Sequence, residues 1–242
     1  MIHFTCDIIT RFFFPSTLTL ILHEKIYNLL LLRYNKDMIT ILSQNEDYIV
    51  CIKPIGISSE QSGMVSLLSA QENCQVFPVH RLDQAVGGVM VYAKTPKAAT
   101  YLSNYLLEKE YLAVTKAGDL PLEGELRDYL YHDKRTNKSF AVKSERKNAR
   151  EARLTYRILE TKDELSLVKV RLQTGRTHQI RVQFASRKMP LYGDGKYGSR
   201  HKGNIALWSY HLKFSDPSDG TIKEFEVLPD RSLEPFVRFS SL

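Results

Sequence analysis

The sequence predicts an α+β fold built around a mixed, largely antiparallel β-sheet with few helices. Short apolar and β-branched runs, bounded by turn-forming residues, recur from residue 38 to residue 228. Few segments between these runs show the helical spacing of apolar residues. Apolar residues make up 43% of the 242 residues and charged residues 25%. This composition is that of an ordinary globular protein and excludes a disordered or collagen-like chain.

The strands are predicted from runs of residues that favour extended backbone. In chain order, the predicted strands cover residues 39–42, 48–52, 76–79, 89–93, 111–115, 153–159, 165–172, 205–214 and 223–228. Pro54 ends the second of them, because proline has no amide hydrogen to donate to a β-ladder. Residues 216–220 predict a turn that joins the last two strands as a hairpin.

A first helix is predicted to begin at Thr95 and Pro96. Thr95 has a side-chain oxygen that can cap the helix, and Pro96 suits the first helical position, where its missing amide hydrogen costs nothing. Ala98, Leu102, Tyr105 and Leu106 then recur at helical spacing. These residues are expected to turn one side of the helix toward the core.

A second helix is predicted over residues 177–187. Ile180 and Phe184 are four residues apart, which places both on one core-facing stripe. His178 and Arg181 flank that stripe near the start of the helix. We therefore expect these two polar side chains to reach a shared cleft.

Residues 1–37 are predicted to be an apolar extension outside the folded core. A membrane-spanning helix needs about 20 mostly apolar residues, and residues 23–25 interrupt the apolar run with charged and polar groups. No small-residue cleavage pattern follows, so neither an anchor nor a secretory signal is expected. Met38, where strand-forming sequence begins, is an alternative start of translation. Residues 38–242 are expected to form one domain.

The three cysteines indicate the compartment. Cys6, Cys51 and Cys74 are scattered, odd in number and never spaced as CxxC, which argues against a disulfide framework and against a zinc knuckle. We therefore expect a cytoplasmic protein without membrane association. No repeated apolar interface is evident in the sequence, so a monomer is expected.

The positive charge is concentrated in two segments. The chain carries a net charge of +7, of which residues 132–157 contribute +6 and residues 171–202 contribute +7, so that the remainder sums to −6. Asp194 is the only acid in the second segment. Such concentration is typical of a protein that binds a polyanion such as RNA. The alternative is a solvated basic face without a ligand.

Three short motifs carry the candidate chemistry. They are His80-Arg81-Leu82-Asp83 with the later pair Gly87-Gly88, then residues 109–113, and then residues 175–181. Taken alone, an Asp at a strand end is most often a cap or turn residue, and Tyr111 is as often a half-buried core tyrosine. The second basic segment, residues 171–202, contains the third motif, which favours a functional interpretation.

Together the motifs resemble those of the RluA-type pseudouridine synthases. Residues 53–56, residues 191–194 and the strand around residues 207–214 extend the match, which runs from about residue 38 to about residue 228. The resemblance implies the pseudouridine synthase fold, a bisected mixed sheet flanked by helices with an RNA-binding cleft across its middle. It also implies that no cofactor and no metal is used.

The resemblance also implies the roles of the candidate site residues. Asp83 is the catalytic carboxylate, acting either as a nucleophile at C1′ of the ribose or as the base that removes the C2′ proton. Arg181 is its cationic partner, because a cation within about 4–6 Å favours the charged form of a carboxylate. Tyr111 stacks on the uracil. The residues expected to contact the substrate are Arg81, which fills the vacated base stack, together with Arg176, His178, Ile180 and Leu207.

Two departures from the family pattern are present. The Thr-Ser-Gly-like turn that usually follows the Asp is replaced by Gln84-Ala85-Val86-Gly87-Gly88, which we interpret as a turn variation that leaves Asp83 in place. The common Leu-His-Ala of the late strand is here Leu207-Trp208-Ser209. This second change weakens the assignment of a lining role to Leu207.

Two other functions fit parts of the sequence. His80, Asp83 and His178 are residue types that bind zinc or non-haem iron, so a metal-dependent hydrolase is conceivable. A non-catalytic RNA-binding protein of the same fold would need the basic face but not Asp83. For the enzyme, the sequence leaves ribosomal RNA and transfer RNA equally open as substrates.

Overall fold

The structure of the chain is a computed structural model that describes residues 38–143 and 148–242. The expected apolar extension, residues 1–37, lies outside the described residues. Residues Ile39–Leu242 form one compact unit. Among the helices of the described ranges, none is long and apolar enough to cross a membrane.

The described part of this unit contains eleven strands and three α-helices. The strands are β1 (Ile41–Gln44), β2 (Tyr48–Lys53), β3 (Phe77–Pro78), β4 (Gly87–Ala93), β5 (Leu106–Lys116), β6 (Glu123–Asp133), β7 (Lys138–Val142), β8 (Ala149–Lys162), β9 (Leu165–Leu172), β10 (Leu207–Ser215) and β11 (Ile222–Glu226). The helices are α1 (Ser66–Glu72), α2 (Pro96–Asn104) and α3 (Gln179–Ala185). All nine predicted strands are present, although the one expected over residues 76–79 is reduced to the two residues of β3.

The strands form a single sheet that is divided along β10. Their order is β1-β2-β4-β10-β5-β9-β8-β6-β7, with β3 on β4 and β11 on β10. Among the described strands, the one parallel pairing joins β10 to β4, and it covers only Trp208 and Ser209 opposite Gly87 and Gly88. From His211 onward, β11 takes the place of β4 beside β10. The sheet is therefore mixed, largely antiparallel and bisected, as predicted.

Hydrophobic residues cover both faces of the sheet. On one face, Leu68 of α1 and Phe184 of α3 are fully buried in the largest core cluster, which also contains Tyr111 of β5. On the other face, Ala98 and Leu102 of α2 pack in a second cluster. Alternate side chains of a strand point to opposite faces of the sheet. Tyr111 therefore points to the face that α1 and α3 cover. The first and third motifs lie on the same face, since Leu82 and Ile180 belong to the same core cluster as Tyr111.

The sequence does not predict β6 and β7, which lie at one edge of the sheet. Among its eleven residues, β6 fully buries only Leu126 and Leu130. Its residues from Glu123 to Tyr131 pair antiparallel with β8. A strand that buries so few side chains shows little apolar alternation in the sequence, so it is the pairing with β8 that defines it.

The sequence also does not predict α1. A short helical turn over Gln61–Val65 precedes α1 and is kinked at Gly63, where the backbone is not helical. No side chain caps the start of α1. A Cβ at Gly63 would lie 2.2 Å from the Ser58 carbonyl oxygen, so only glycine fits this kink. Leu68 is fully buried and holds the helix on the sheet. Packing therefore stabilises α1 where local capping signals are missing.

The predicted start of α2 is confirmed. The Thr95 hydroxyl accepts a hydrogen bond of 3.1 Å from the Ala98 amide, and Pro96 occupies the first helical position. The helix ends earlier than the spacing indicated. Tyr105 follows its last residue and is 49% exposed, and Leu106 already begins β5. Tyr105 therefore does not belong to the core-facing stripe.

The predicted second helix is confirmed as α3, with narrower limits. Ile180 and Phe184 are both buried in the main core cluster, as their spacing predicts. The helix begins at Gln179 rather than at residue 177, because His178 adopts a left-handed backbone conformation with φ of 56°. This turn brings His178 and Arg181 to the same cleft.

Candidate active site

A cleft of about 690 Å³ lies between the β3–β4 loop, β5, the α3 start and the beginning of β10. All eight predicted site residues line it: Arg81, Asp83, Tyr111, Arg176, His178, Ile180, Arg181 and Leu207. They come from four separate segments of the chain. The structure therefore brings together all eight residues to which the family resemblance gives a role.

Asp83 is held at the floor of this cleft by its own loop. The Val86 amide donates to the Asp83 carbonyl at 2.9 Å, which closes a turn after the carboxylate. On either side, the Ser59 hydroxyl donates to the Leu82 carbonyl and the Lys53 ammonium donates to the Gln84 carbonyl. Its side chain is 26% exposed, so the carboxylate is accessible from the cleft while its backbone is anchored.

Arg181 connects Asp83 to a second carboxylate that is buried. Nη1 of Arg181 donates to Oδ2 of Asp83 at 2.7 Å. Nε and Nη2 donate to the two carboxylate oxygens of Asp194 at 2.7 and 3.0 Å, which is the bidentate geometry that suits a guanidinium. Burial lowers the pKa of Arg181, but the hydrogen bonds and charges of the two carboxylates outweigh this effect and raise the pKa above its ordinary value.

His178 lies beside this pair in a neutral state. Its Nδ1 is 2.8 Å from the Tyr197 hydroxyl, and its Nε2 is 3.7 Å from Oδ2 of Asp83. Burial lowers the pKa of His178 to about 4; the charge of Asp83 opposes this shift, while that of Arg181 adds to it. At neutral pH the imidazole therefore adds no positive charge to the site.

Tyr111 forms an apolar wall of the cleft next to Asp83. It is buried on β5, opposite Ser209 of β10. Burial, together with the charge of Asp83, raises the pKa of Tyr111 well above its usual value. The phenol therefore keeps its proton at neutral pH and presents a flat, uncharged ring to the cleft.

The remaining predicted residues differ in exposure. Arg81 is at the rim, where its guanidinium pairs with Glu60 at 2.8 Å and its side chain is 62% exposed. The Arg176 Nε donates to the Glu151 carbonyl at 2.9 Å. Ile180 and Leu207 are nearly fully buried in the wall. Arg81 therefore lies at the exposed rim of the cleft, while Ile180 and Leu207 form an apolar part of its wall.

The described residues do not assemble a metal-binding cluster. No group of three or more His, Cys, Asp or Glu side chains in the described ranges is arranged to hold a metal ion. The Nε2 of His80 accepts a hydrogen bond from the Val91 amide at 3.3 Å. Burial, with a smaller effect from the charge of Lys109, lowers the pKa of His80 to about 3.

Comparison with known proteins assigns the family. A family model described as RNA pseudouridylate synthase matches residues 47–186, which is more than half of the chain. The chain belongs to the RNA pseudouridylate synthase family. The predicted resemblance to the RluA-type pseudouridine synthases is thereby confirmed.

Several curated members of this family are similar to the chain. A ribosomal large subunit pseudouridine synthase D of Borreliella burgdorferi is 32% identical over 155 residues, which cover 61% of this chain and 47% of that protein. The uncharacterised RNA pseudouridine synthase YlyB of Bacillus subtilis is 35% identical over 165 residues, covering 64% of this chain and 53% of that protein. The chain thus matches about half the length of these relatives.

Solved structures of the family share the fold. The human RNA pseudouridylate synthase domain-containing protein 1 matches with a TM-score of 0.70 and 21% identity, covering 83% of this chain and 86% of that one. The human domain-containing protein 4 matches with a TM-score of 0.66 and 21% identity, covering 87% and 94%. The predicted pseudouridine synthase fold is confirmed.

The sequence motifs of the synthase family did not assign roles to three residues that build the site. Asp194 accepts hydrogen bonds from Arg181, and the Tyr197 hydroxyl forms a hydrogen bond with Nδ1 of His178. Lys53 is fully buried and donates to three carbonyl groups around the Asp83 loop. A signal existed for Asp194, because a lone acid within a strongly basic segment needs a reason to be there. Lys53 begins the matching segment 53–56, but the sequence does not show that its ammonium is buried beside the Asp83 loop.

Proposed function

We propose that the chain is an RNA pseudouridine synthase that isomerises specific uridines to pseudouridine, with Asp83 as the catalytic carboxylate. The observation that supports this most strongly is the pairing of Asp83 with Arg181 at 2.7 Å at the floor of the cleft. A carboxylate kept charged and accessible in a partly dry pocket is what this isomerisation requires. We further propose that the protein acts as a monomer in the cytoplasm.

The reaction needs no oxidant and no external group. The bond between N1 of uracil and C1′ of ribose breaks, and a bond between C5 and C1′ forms. The proton on C5 is released to solvent, and N1 gains one. Asp83 serves either by bonding to C1′ while the uracil turns, or by taking the C2′ proton and later returning it. Both routes use the ionised carboxylate.

The residues around Asp83 bind the substrate or hold the carboxylate in place. Tyr111 stacks on the uracil face, and Arg181 holds the Asp83 carboxylate in place through its hydrogen bond of 2.7 Å. Extruding the uridine from its helix costs a few kcal/mol, and the exposed Arg81 fills the space that the base leaves. The other proposed substrate contacts are made by Arg176, His178, Ile180 and Leu207.

Ribosomal RNA is the first substrate to test. Three of the similar curated proteins are named ribosomal large subunit pseudouridine synthase D. Transfer RNA is the second, because the basic cleft recognises the phosphate backbone that both RNAs share. Mapping pseudouridine in total RNA from cells with and without the gene identifies the target.

The role of Asp83 is tested by Asp83→Ala and Asp83→Asn. We expect both variants to lose product formation, because neither can supply a charged oxygen to C1′ or C2′, and to bind RNA within a few-fold of the wild-type affinity. Product is measured as tritium released from RNA that carries 5-tritiated uridine, since the C5 hydrogen is displaced. RNA affinity is measured in parallel by filter binding.

Asp119→Asn is the matched control, because Asp119 is an exposed carboxylate outside the cleft lining. It should release tritium at the wild-type rate. Turnover retained by Asp83→Asn would refute the assignment of Asp83. A wild-type protein that binds RNA but releases no tritium from ribosomal or transfer RNA would favour the non-catalytic RNA-binding alternative.

A further inference from the structure

Lys109 is a cleft cation that the site described so far does not use. It lies on β5 two residues before Tyr111, and both side chains line the cleft. Alternate residues of a strand face opposite ways, so Lys109 and Tyr111 share the cleft face of β5. The sequence motif contains Lys109, but neither the predicted roles nor the proposed reaction gives it a task.

The acidic residues of β5, Glu108 and Glu110, both form ion pairs on the face of the sheet opposite the cleft. Glu108 pairs with Arg171 at 2.9 Å and with Lys213 at 3.7 Å. Glu110 pairs with Lys169 at 3.0 Å and accepts from the Tyr210 hydroxyl. None of these carboxylates can reach across the sheet to the cleft.

Lys109 consequently has no counter-ion among the described residues. Within the described ranges no carboxylate lies within 4.0 Å of its ammonium, and no hydrogen bond from it is present. Burial is the cause of its lowered pKa, with no compensating effect of Asp83. A partly buried ammonium without a counter-ion is unfavourable by itself and is stabilised by an anion that enters the cleft.

The surroundings of Lys109 leave room for such an anion. A Cβ built on Gly175 would lie 3.8 Å from the Lys109 Nζ, so the ammonium lies against the turn that precedes α3. Arg176 follows in that turn and also lines the cleft, with its Nε bound to a neutral carbonyl rather than to an acid. Lys109 and Arg176 are thus two cations without carboxylate partners, and they lie next to Gly175, which has no side chain.

We propose that Lys109, together with the turn at Gly175 and Arg176, forms a phosphate-binding subsite that holds a backbone phosphate of single-stranded RNA. This rests on the proposed function, because it takes the polyanion in the cleft to be the RNA that carries the target uridine. The subsite fixes the strand at one end of the cleft while Asp83 and Tyr111 engage the nucleotide. Lys109 is therefore a binding residue rather than a reacting one.

The test measures binding of a fluorescein-labelled ten-nucleotide oligouridylate by anisotropy at 25–200 mM KCl. Lys109→Gln should weaken binding about tenfold at low salt, the effect of losing one charge-assisted hydrogen bond. It should also reduce the slope of log Kd against log salt by about 0.7, the value for one phosphate contact on a single strand. Lys109→Arg keeps the charge and should restore affinity to within about threefold.

Lys213→Gln is the matched control, because Lys213 pairs with Glu108 on the far face of the sheet. It should bind oligouridylate within about twofold of the wild type. Thermal unfolding separates binding from structure: Lys109→Gln removes an uncompensated charge, so its midpoint should equal or exceed that of the wild type. A lowered midpoint with unchanged binding would mean that Lys109 is structural.

The outcomes separate this subsite from the proposed reaction. Unchanged affinity and salt slope in Lys109→Gln would overturn the subsite, even if the wild type forms pseudouridine. Absence of any oligouridylate binding by the wild type at 25 mM KCl would overturn it as well. Binding that depends on Lys109, in a protein that releases no tritium, would keep the subsite and refute the isomerase.

Discussion

Arg181 donates hydrogen bonds to two carboxylates that differ in exposure. The side chain of Asp194 is 1% exposed, whereas that of Asp83 is 26% exposed. The buried carboxylate receives two of the three hydrogen bonds, so it sets the direction of the guanidinium plane, and the third donor then points at Asp83. Asp194 is a positioning residue, because it acts on Asp83 only through Arg181.

Asp194→Asn should therefore affect both stability and turnover. Removing one partner of a buried ion pair costs about 3–5 kcal/mol of unfolding free energy. Misplacing the reacting group by about 1 Å lowers the rate about 100-fold, and we expect the loss in kcat rather than in KM. Urea unfolding and tritium release measure the two effects.

Asp128→Asn provides a comparison for the effect of Asp194, because Asp128 pairs with Arg187 at the other end of α3, where both side chains are partly exposed. It should cost less stability than Asp194→Asn and leave kcat unchanged. If Asp194→Asn loses stability but keeps its kcat, Asp194 supports the fold without positioning Arg181.

At the scale of elements, β10 is the strand on which the sheet divides. Its first residues lie between β4 and β5, and the Ser209 hydroxyl donates to the Val89 carbonyl at 3.0 Å. Gly88 makes this close approach possible, with φ of +124° and a Cβ position that would lie 2.1 Å from the Ser209 carbonyl oxygen. The cleft opens beside this junction, where Leu207 lines it.

Gly88→Ala should consequently be among the most damaging single-methyl additions in the sheet. The methyl group collides with backbone, which cannot move away as a side chain can, and the positive φ adds strain. We expect a loss of about 2–5 kcal/mol, within the range for strain and overpacking. Gly195→Ala is the control, because nothing lies within 4 Å of its Cβ position, and it should change stability by less than about 0.5 kcal/mol. Equal unfolding midpoints for the two variants would contradict this account.

For the whole molecule, buried neutral histidines determine part of the response to acid. The pKa of His80 is lowered to about 3 and that of His178 to about 4 by burial. Both lie below the ordinary value of 6.5. Between pH 6.5 and pH 4 these histidines are protonated in the unfolded chain but remain neutral in the native state. Their contribution to the free energy of unfolding is therefore fully present above pH 6.5 and is lost as the pH is lowered.

This predicts a measurable slope of stability against pH. Each histidine contributes up to about 1.4 kcal/mol per pH unit in that window. His80→Gln keeps an acceptor for the Val91 amide but binds no proton, so its unfolding free energy should fall less steeply than that of the wild type between pH 6.5 and pH 4. Urea unfolding at several pH values measures both slopes, and parallel slopes would show that His80 does not contribute.

The sequence by itself determined the α+β class, nine of the strands, the start of α2 and eight of the residues that line the cleft. These features are local: apolar runs, the Thr95 cap and short motifs are each written in consecutive residues. The capping bond from Ala98 to Thr95 shows the same locality in the structure. The family could be assigned for the same reason, because its motifs occur in order along the chain.

The tertiary structure alone decided which groups act on one another across the cleft. The Arg181 contacts with Asp83 and Asp194 join residues that are 98 and 13 positions apart, and no local pattern encodes their distances. The strands β6 and β7 at one end of the sheet depend on pairing, and α1 depends on packing, so none of the three has a strong sequence signal. The sequence places Lys109 in a motif, but only the structure shows that it has no counter-ion among the described residues, because Glu108 and Glu110 beside it pair with other cations on the opposite face of the sheet.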